Sequence, residues 1–528
     1  MTFRMPMRFI TAFCFSILIW SATEAQVSSG IPTITSYFEL LVTGNSESAG
    51  LIWTQAAQER STRFGIKYAD IPLKSDAASP IVQNLELMRH YLQPPVKSYE
   101  DLFDGAYQKL HYLAIVEGKK VEHTYYAEFD GRNYWLTYPQ DIYSRDWPVL
   151  ETEYFRIHVH PDVQKFINTI NLEEADKFVE RMIDSLELGD YDIRHLGSVK
   201  IEYFYCNSDK TVKTITGRRT KGIYDKASSD IISSFFPHYH EIVHLLTDYK
   251  MRSLPLFVHP LFEEGLAVYM GGRWGKSMAA LSPLGIFLYK EGITPLDSLL
   301  AYSSFKSNAE SDLAYPLAGI FTRFLIERIG HTRYLALYRK MSGSFDQVSA
   351  MPVDSVKARV LRALDISGWD KFAEIFDKYI SELQSKHQLG RPGTTESGSV
   401  TVSVNGIKVK ETDDWLSFEI DTKIAGTSKG TLFFGRDEKL KEAVSVMFSE
   451  HFPERESLGG YRYAIRFDSN EAGVYDYATS HLLGKIINSL APSPEYYNEE
   501  SHILAFRFRK SLTNGVSPSN DDYKFIAE

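Results

Sequence analysis

The sequence predicts an α+β protein built from several domains. Its 528 residues exceed what one hydrophobic core usually organises, and at about 100–200 residues per domain they suggest about three domains. Segments with apolar residues at helical spacing are interspersed with segments in which apolar and polar residues alternate, as they do in strands. A stretch rich in Gly, Ser and Thr near residue 390 is typical of a linker. The predicted organisation is a signal peptide at 1–25, an α+β domain at 26–150, a mainly helical domain with a small β lead-in at 151–387, a linker at 388–400 and an α+β domain at 401–528.

The composition is that of a folded protein. Hydrophobic residues make up 44% of the chain and charged residues 24%, which is a globular rather than a disordered balance. The net charge of -10 is mild for this length, and the basic residues form no long run that would neutralise phosphates. We therefore expect no nucleic-acid partner.

The N-terminus has the pattern of a secretory signal. Arg4 and Arg8 precede an apolar stretch, 9–20, and small residues suited to cleavage follow up to Ala25. An uncleaved membrane anchor is the alternative, but about a dozen apolar residues are short for a bilayer. We expect a secreted or periplasmic protein without a stable membrane span after cleavage.

The cysteines limit the chemistry. Cys14 lies in the predicted signal, so the mature chain would keep only Cys206 and could form no internal disulfide. Cys206 is interpreted as a buried strand residue, with a reactive thiol as the alternative. A metal site must therefore use histidines and carboxylates.

The first domain is predicted to begin with helices and end with strands. Helical spacing covers Ile34–Arg60 and Leu85–Tyr91, and the alternating segments 121–129 and 133–138 flank Asp130–Gly131 as a hairpin. This order resembles the small cone-shaped domains of the nuclear-transport-factor-2-like kind.

The second domain opens with a strand–helix–strand pattern at 154–160, 173–188 and 199–205. His158 and His160 lie two apart on one face of the first strand. They are either metal ligands or ordinary strand residues, and nothing nearby in the sequence completes a ligand set.

A metal-binding pattern follows at His240-Glu-Ile-Val-His244. On a helix the two imidazoles project from one face about one turn apart, which suits two ligands of one tetrahedral zinc. Glu241 lies beside that face, where its carboxylate could act as general base.

Other polar residues near this motif have two interpretations each. Asp248 lies on the histidine face, either as a hydrogen-bond acceptor for a ligating imidazole or as a solvated acid at the helix end. His238 and His259 are interpreted as bystanders, because one projects from another face and the other lies in a loop.

The segment Pro260-Leu-Phe-Glu263-Glu264-Gly265-Leu-Ala-Val-Tyr269 makes the pattern more specific. Glu264 follows His244 after 19 intervening residues and begins a predicted second helix. This pairing resembles the gluzincin metallopeptidases, especially the bacterial peptidase MA-like group, whose core is related to the aminopeptidase N family. The resemblance extends from about residue 155 to 379.

The resemblance implies that Glu264 is the third ligand of one Zn²⁺ per chain, with His240 and His244. The spacing departs by one residue from the aminopeptidase N pattern, which leaves Glu263 as an alternative ligand. Tyr315 stands where relatives often carry a tyrosine that hydrogen-bonds the oxyanion, and its other interpretation is a core tyrosine. The Gly-x-Met-Glu-Asn strand that marks aminopeptidases is missing from the sequence.

The expected function is therefore that of a zinc metallopeptidase that cleaves peptide or protein substrates with zinc-activated water, more in the manner of an endopeptidase than of an aminopeptidase. A catalytically inactive zinc-binding pseudo-peptidase that acts as a secreted binding protein is the alternative. A zinc hydrolase for another bond needs the same residues.

The C-terminal domain carries no chemical motif. Strands are predicted at 416–420, 431–434, 461–467 and 503–508, and helices at 438–452 and 477–490.

Overall fold

The computed structural model describes residues 29–84, 96–116, 119–310, 312–386, 399–440, 460–487, 496–498, 500–519 and 522–528. The predicted signal peptide, the helix at 85–91 and most of the helix at 438–452 lie outside these ranges. Of the predicted linker, residues 388–398 lie outside them, and Ser399 and Val400 already belong to a strand. The described chain is mixed α and β with several sheets, which confirms the α+β class.

The helices have the following bounds: Ile31–Val42, Ser46–Gly50, Gln55–Thr62, Pro80–Gln83, Pro139–Tyr143, Thr169–Leu186, Asp190–Val199, Asp209–Thr216, Tyr239–Met251, Pro260–Gly271, Met278–Lys290, Leu296–Leu300, Tyr302–Glu310, Ala314–Lys340, Phe345–Ser349, Val353–Leu364, Trp369–Lys386 and Thr422–Ala425. Short 3-10 helices occupy Lys74–Asp76, Pro161–Phe166, Glu438–Leu440 and Lys510–Thr513.

The described residues up to 61 and from 75 to 142 group into one compact unit, and the described residues of 62–74 and from 143 onwards group into a second. The described residues of the first unit form an antiparallel sheet of four strands, in the order Val96–Leu102, Tyr107–Val116, Lys119–Phe129, Tyr134–Thr137. The predicted hairpin is confirmed, because Phe129 pairs with Tyr134 and Asp130 Oδ1 accepts from the backbone N–H groups of Arg132 and Asn133. The first helical segment is also confirmed as three helices between Ile31 and Thr62.

A buried carboxylate ties the core of this first unit together. Asp76 accepts hydrogen bonds from the hydroxyls of Tyr37 at 2.9 Å and Tyr125 at 2.8 Å. Phe38 fills the space beside them, with its ring centroid 5.6 Å from that of Tyr125. The polar group is thus satisfied inside an aromatic core.

The second unit begins with a five-stranded sheet in the order Val149–Glu151, Phe155–Val159, Ile201–Tyr205, Asp230–Ser233, Gly222–Asp225. The second, third and fourth strands are mutually parallel, and the two edge strands are antiparallel to their neighbours. The predicted strand–helix–strand lead-in is confirmed, because the helix Thr169–Leu186 lies between the two parallel strands of the prediction; a second helix, Asp190–Val199, follows it before the second strand.

Helices follow this sheet as far as Lys386, as the sequence predicts, and three of them matter most below. They are called the His240 helix (Tyr239–Met251), the Glu264 helix (Pro260–Gly271) and the Tyr315 helix (Ala314–Lys340). The Tyr315 helix changes direction at Gly330, whose φ of 76° lies outside the helical region. Among the described residues, no helix combines the length and apolar character needed to cross a membrane.

An N-terminal segment, 62–74, belongs to this second unit. Its strand Lys67–Tyr68 pairs in parallel with Ser253–Leu254, directly after the His240 helix. Two further short strands, Phe257–Val258 and Ser342–Gly343, pair with each other. Arg63 forms an ion pair at 2.7 Å with the fully buried Asp230 in the five-stranded sheet. The predicted boundary at residue 150 places the 62–74 segment in the first domain, so the sequence did not predict that it belongs to the second unit.

The C-terminal part differs from its predicted α+β order. Its described residues form two antiparallel sheets that share an apolar core. The strand order in the first sheet is Ser399–Val404, Ile407–Glu411, Trp415–Asp421, Ile503–Arg509, Tyr497–Asn498. The strand order in the second sheet is His481–Ile487, Glu471–Asp476, Tyr461–Phe467, Gly430–Arg436, Tyr523–Ala527. The four predicted strands are confirmed.

The prediction of a helix at 477–490 is wrong for residues 477–487, which the structure describes. Asp476 Oδ1 accepts from the N–H groups of Ala478 and Thr479, which makes a turn, and His481–Ile487 then forms a strand. The apolar spacing fits a helix and a strand equally well, so pairing with Glu471–Asp476 decides the outcome.

The Arg63–Asp230 pair gives a test of the 62–74 segment. Arg63→Ala removes the guanidinium from a carboxylate with no exposed surface, and we expect the free energy of unfolding of the second unit to fall by about 3 kcal/mol. Denaturant unfolding measures this. Asp377→Ala is the control, because its pair with Lys290 is half exposed and should change stability by less than about 1 kcal/mol. Equal, small effects would mean that the segment is not an integral part of the unit.

Candidate metal centre

The His240 helix is fixed by burial of its apolar face. Ile242, Leu245 and Leu246 are completely buried, whereas the imidazoles of His240 and His244 share the opposite face. The ring centroids of the two histidines are 4.8 Å apart. The predicted helix, with both imidazoles on one face, is confirmed.

The structure brings Glu264 to these two histidines. Glu264 Oε2 lies 3.1 Å from His240 Nε2 and 3.8 Å from His244 Nε2. One ligand atom from each of the three residues lies within 4.8 Å of the others, and this is the single such group found among the described residues. Glu263 points elsewhere and forms an ion pair with Lys226 at 2.8 Å.

Two glycines allow the helices to approach this closely. A Cβ on Gly271 would lie 2.7 Å from the backbone N of His240 and from the carbonyl carbon of Tyr239. Gly272 ends the Glu264 helix at a φ of 72°, and its carbonyl accepts from His240 Nδ1 at 2.8 Å. That bond fixes the imidazole so that Nε2 faces Glu264.

Charge pairing dominates the electrostatics of the group. Burial would raise the pKa of Glu264, but hydrogen bonds with His240 and His244 outweigh burial and hold the pKa well below its ordinary value. Burial alone would lower the pKa of His244, but its hydrogen bond with Glu264 and the negative charge of Glu264 raise that pKa to about 9. The cluster is therefore a carboxylate held by imidazoles.

Glu241 is buried beside the cluster. Its Oε2 accepts from the backbone N–H of Tyr224, on the edge strand Gly222–Asp225, at 2.8 Å. Its Oε1 lies 3.8 Å from His238 Nε2. One carboxylate oxygen is thus anchored by the sheet and the other faces a buried imidazole.

Tyr315 also lies near His240. Its ring centroid is 6.5 Å from that of His240, and Arg273 lies over its ring at 3.2 Å. Burial and the charge of Glu264 raise the pKa of Tyr315, so its hydroxyl stays protonated at neutral pH. The ring is half-buried at the candidate site rather than enclosed in the core.

Asp248 is neither solvated nor bonded to a histidine among the described residues. It is 5% exposed, and its Oδ2 accepts from the hydroxyl of Tyr68 at 2.9 Å. Burial raises the pKa of this carboxyl. Both interpretations that the sequence allows for Asp248 are therefore wrong, and a tyrosine from the 62–74 segment is its partner.

The remaining candidates lie away from the cluster. His158 stacks on Phe204 and contacts Glu202 at 2.7 Å, and His160 accepts from the N–H of Asp162. His259 caps the Glu264 helix. Cys206 is completely buried, which raises the pKa of its thiol to about 12.

Sequence reasoning missed three neighbours of the site. His238 was interpreted as a bystander, yet as the N-cap residue of the His240 helix it is held by Ser233 and faces Glu241. Its position at the helix end was the available signal. Nothing in the sequence indicated Tyr224 or Arg273.

Comparison of the chain with protein-family models, curated proteins and solved structures found no match.

A substitution at Gly271 tests whether the close approach of the His240 and Glu264 helices is needed for metal binding. Gly271→Ala must push the Glu264 helix away from the backbone of His240, and we expect metal affinity to fall about 10- to 100-fold while the protein stays folded. Zinc titration against a chelating dye measures the loss. The control is Gly197→Ala in the helix Asp190–Val199, where a Cβ would meet nothing within 4 Å, and it should bind zinc as the wild type does. Unchanged affinity in Gly271→Ala would contradict the account.

Proposed function

We propose that the protein is a zinc-dependent metallopeptidase whose metal is held by His240, His244 and Glu264. The observation that carries the proposal is the convergence of these three side chains from two helices, with the Tyr315 ring near His240 and the buried Glu241 next to His240 on the same helix. The resemblance to the gluzincin metallopeptidases and the peptidase MA-like group supports it.

The residues fit a zinc ion. Zinc binds histidine nitrogen and carboxylate oxygen at about 2.0–2.2 Å, so two such ligands of a tetrahedral ion lie about 3.3 Å apart. The separations of 3.1 and 3.8 Å from Glu264 Oε2 to the two imidazoles are close to this value. His240 Nδ1 donates a hydrogen bond to the Gly272 carbonyl, and a metal-binding histidine commonly makes such a bond with its second ring nitrogen.

Three protein ligands would leave one position free, as in catalytic zinc sites. A zinc ion there would supply a Lewis acid that polarises a carbonyl and lowers the pKa of water. The rest of the chemistry belongs to the chain's own side chains.

Glu241 would act as the general base. Its Oε2 is anchored by Tyr224, which leaves Oε1 to take a proton from the attacking water and pass it to the leaving amine. Tyr315 is a neutral hydroxyl donor beside His240 and would donate to the oxyanion that develops in the transition state.

The other expectations remain proposals. The chain lacks the Gly-x-Met-Glu-Asn strand of aminopeptidases, which favours an endopeptidase. The signal pattern at 1–25 favours export. The four-stranded sheet with packed helices in the first unit supports a nuclear-transport-factor-2-like domain.

Glu264 and Glu263 form a matched pair for testing the ligand set. Glu264→Ala should abolish stoichiometric zinc binding, because it removes one of three ligands, whereas Glu263→Ala should keep about one zinc per chain. Metal analysis after dialysis measures both variants. The reverse result would make Glu263 the ligand and overturn the geometry.

Glu241→Gln tests the reaction itself. The amide keeps the shape but cannot take a proton, so we expect zinc content to be retained and peptide cleavage to fall by at least about 100-fold. A mixed peptide library, read by mass spectrometry, reports cleavage. If the wild type binds zinc yet cleaves no peptide, the pseudo-peptidase alternative or a different hydrolase activity is favoured; wild-type rates in Glu241→Gln would exclude Glu241 as the base.

A further inference from the structure

One strand of the C-terminal sheets reaches the candidate metal centre. The loop that follows the Glu264 helix, called the 272–277 loop (Gly272–Ser277), bonds to the strand His481–Ile487 at three points. Leu482 N donates to Gly275 O at 2.7 Å, and Ser277 N donates to Leu482 O at 2.9 Å. The hydroxyl of Ser277 donates to Leu483 O at 2.7 Å.

The other side of the same loop holds two groups of the site. The carbonyl of Gly272 accepts from His240 Nδ1, and the guanidinium of Arg273 lies 3.2 Å from the ring centre of Tyr315. Arg273 is kept in place by an ion pair with Asp312 at 2.9 Å, two residues before the Tyr315 helix begins. A proposed ligand and the proposed oxyanion donor thus depend on consecutive residues.

The loop itself has little freedom. Arg273 and Lys276 exchange two backbone hydrogen bonds of 2.9 Å each. Gly272 adopts φ 72° and ψ −157°, and a Cβ there would lie 2.1 Å from Lys276 O. A displacement at Gly275 is therefore carried to Gly272 and Arg273 rather than absorbed between them.

A ring contact reinforces the connection. His481, the first residue of the strand, is buried and stacks on Tyr239 with centroids 4.7 Å apart. Tyr239 directly precedes His240 and also stacks on Phe178, from the helix Thr169–Leu186, at 4.4 Å. The start of the His240 helix is thus packed against both the C-terminal strand and the lead-in helix.

We propose that the strand His481–Ile487 and the 272–277 loop act as one clamp, so that the C-terminal sheets help to hold the metal centre and Arg273 is the positioning residue for Tyr315. The clamp sets the direction of His240 through Gly272 and keeps the Tyr315 hydroxyl facing the site. This role rests on the proposed function, because its effects are measured as zinc affinity and peptide cleavage.

Leu482→Pro tests the clamp directly. Proline removes the N–H that donates to Gly275 but fits a strand position whose N–H faces away from its sheet. We expect zinc affinity and kcat each to fall about 10- to 100-fold, as for loss of an outer partner of a metal ligand. Leu482→Ala keeps the backbone N–H and should retain zinc affinity.

Arg273→Gln tests the contact of Arg273 with Tyr315 separately from the hydrogen bond between Gly272 and His240. The variant keeps the hydrogen bond from His240 Nδ1 to the Gly272 carbonyl, so zinc affinity and KM should stay near wild type. Because Tyr315 is no longer held in position, kcat should fall about 10-fold or more. Leu482→Pro disturbs kcat partly through Arg273, so in the double variant the losses in kcat should overlap rather than multiply.

Val409→Ala controls for general destabilisation. It creates a cavity in the core of the C-terminal sheets, in the strand Ile407–Glu411 rather than in the strand that bonds to the 272–277 loop, and it should lower stability while kcat and zinc affinity are kept. If Leu482→Pro stays folded with wild-type zinc affinity and kcat, or if Val409→Ala reproduces its losses, the clamp is overturned. A wild-type protein that binds no zinc would instead defeat the proposed function.

Discussion

The carboxylate of Glu264 between the imidazoles of His240 and His244 is the interaction on which the rest of the structure depends. Charge pairing keeps Glu264 ionised and His244 protonated in a largely buried setting. Such a group is costly to bury without a counter-charge, so the fold must bring two helices together at this point. A divalent cation can take the place of the protons between the carboxylate and the imidazoles, which is why the arrangement suits a metal.

The surrounding elements are explained by the need to hold this group. The glycines at the end of the Glu264 helix remove side chains where two backbones meet. The edge strand supplies an N–H to Glu241, the 62–74 segment supplies Tyr68 to Asp248, and the C-terminal strand holds the 272–277 loop. Segments that lie more than 400 residues apart in the chain thereby contact the His240 helix or the loop that follows the Glu264 helix.

The local elements of the site could be predicted from the sequence because they follow from short-range patterns. The spacing of His240 and His244, the apolar face of their helix and the Asp130 turn depend on neighbouring residues. The preference for Glu264 over Glu263 came from a family resemblance, and in the structure Glu263 turns to Lys226. The function implied by that resemblance stays a prediction.

Long-range pairing could not be predicted in the same way. Nothing local indicates that Tyr68 meets Asp248 across 180 positions, or that His481–Ile487 is a strand rather than a helix. The apolar pattern at 481–487 fits both periods, and only its neighbours in the folded chain decide. Arg273 was missed for the same reason, because its partner Tyr315 belongs to a separate helix.

The most direct test is anomalous diffraction at the zinc absorption edge, on crystals of the full chain grown with one equivalent of zinc. The account predicts one strong peak per chain, about 2.0–2.2 Å from His240 Nε2, His244 Nε2 and a Glu264 carboxylate oxygen. A peak held by other residues, or an empty cluster in crystals that contain zinc elsewhere, would contradict it.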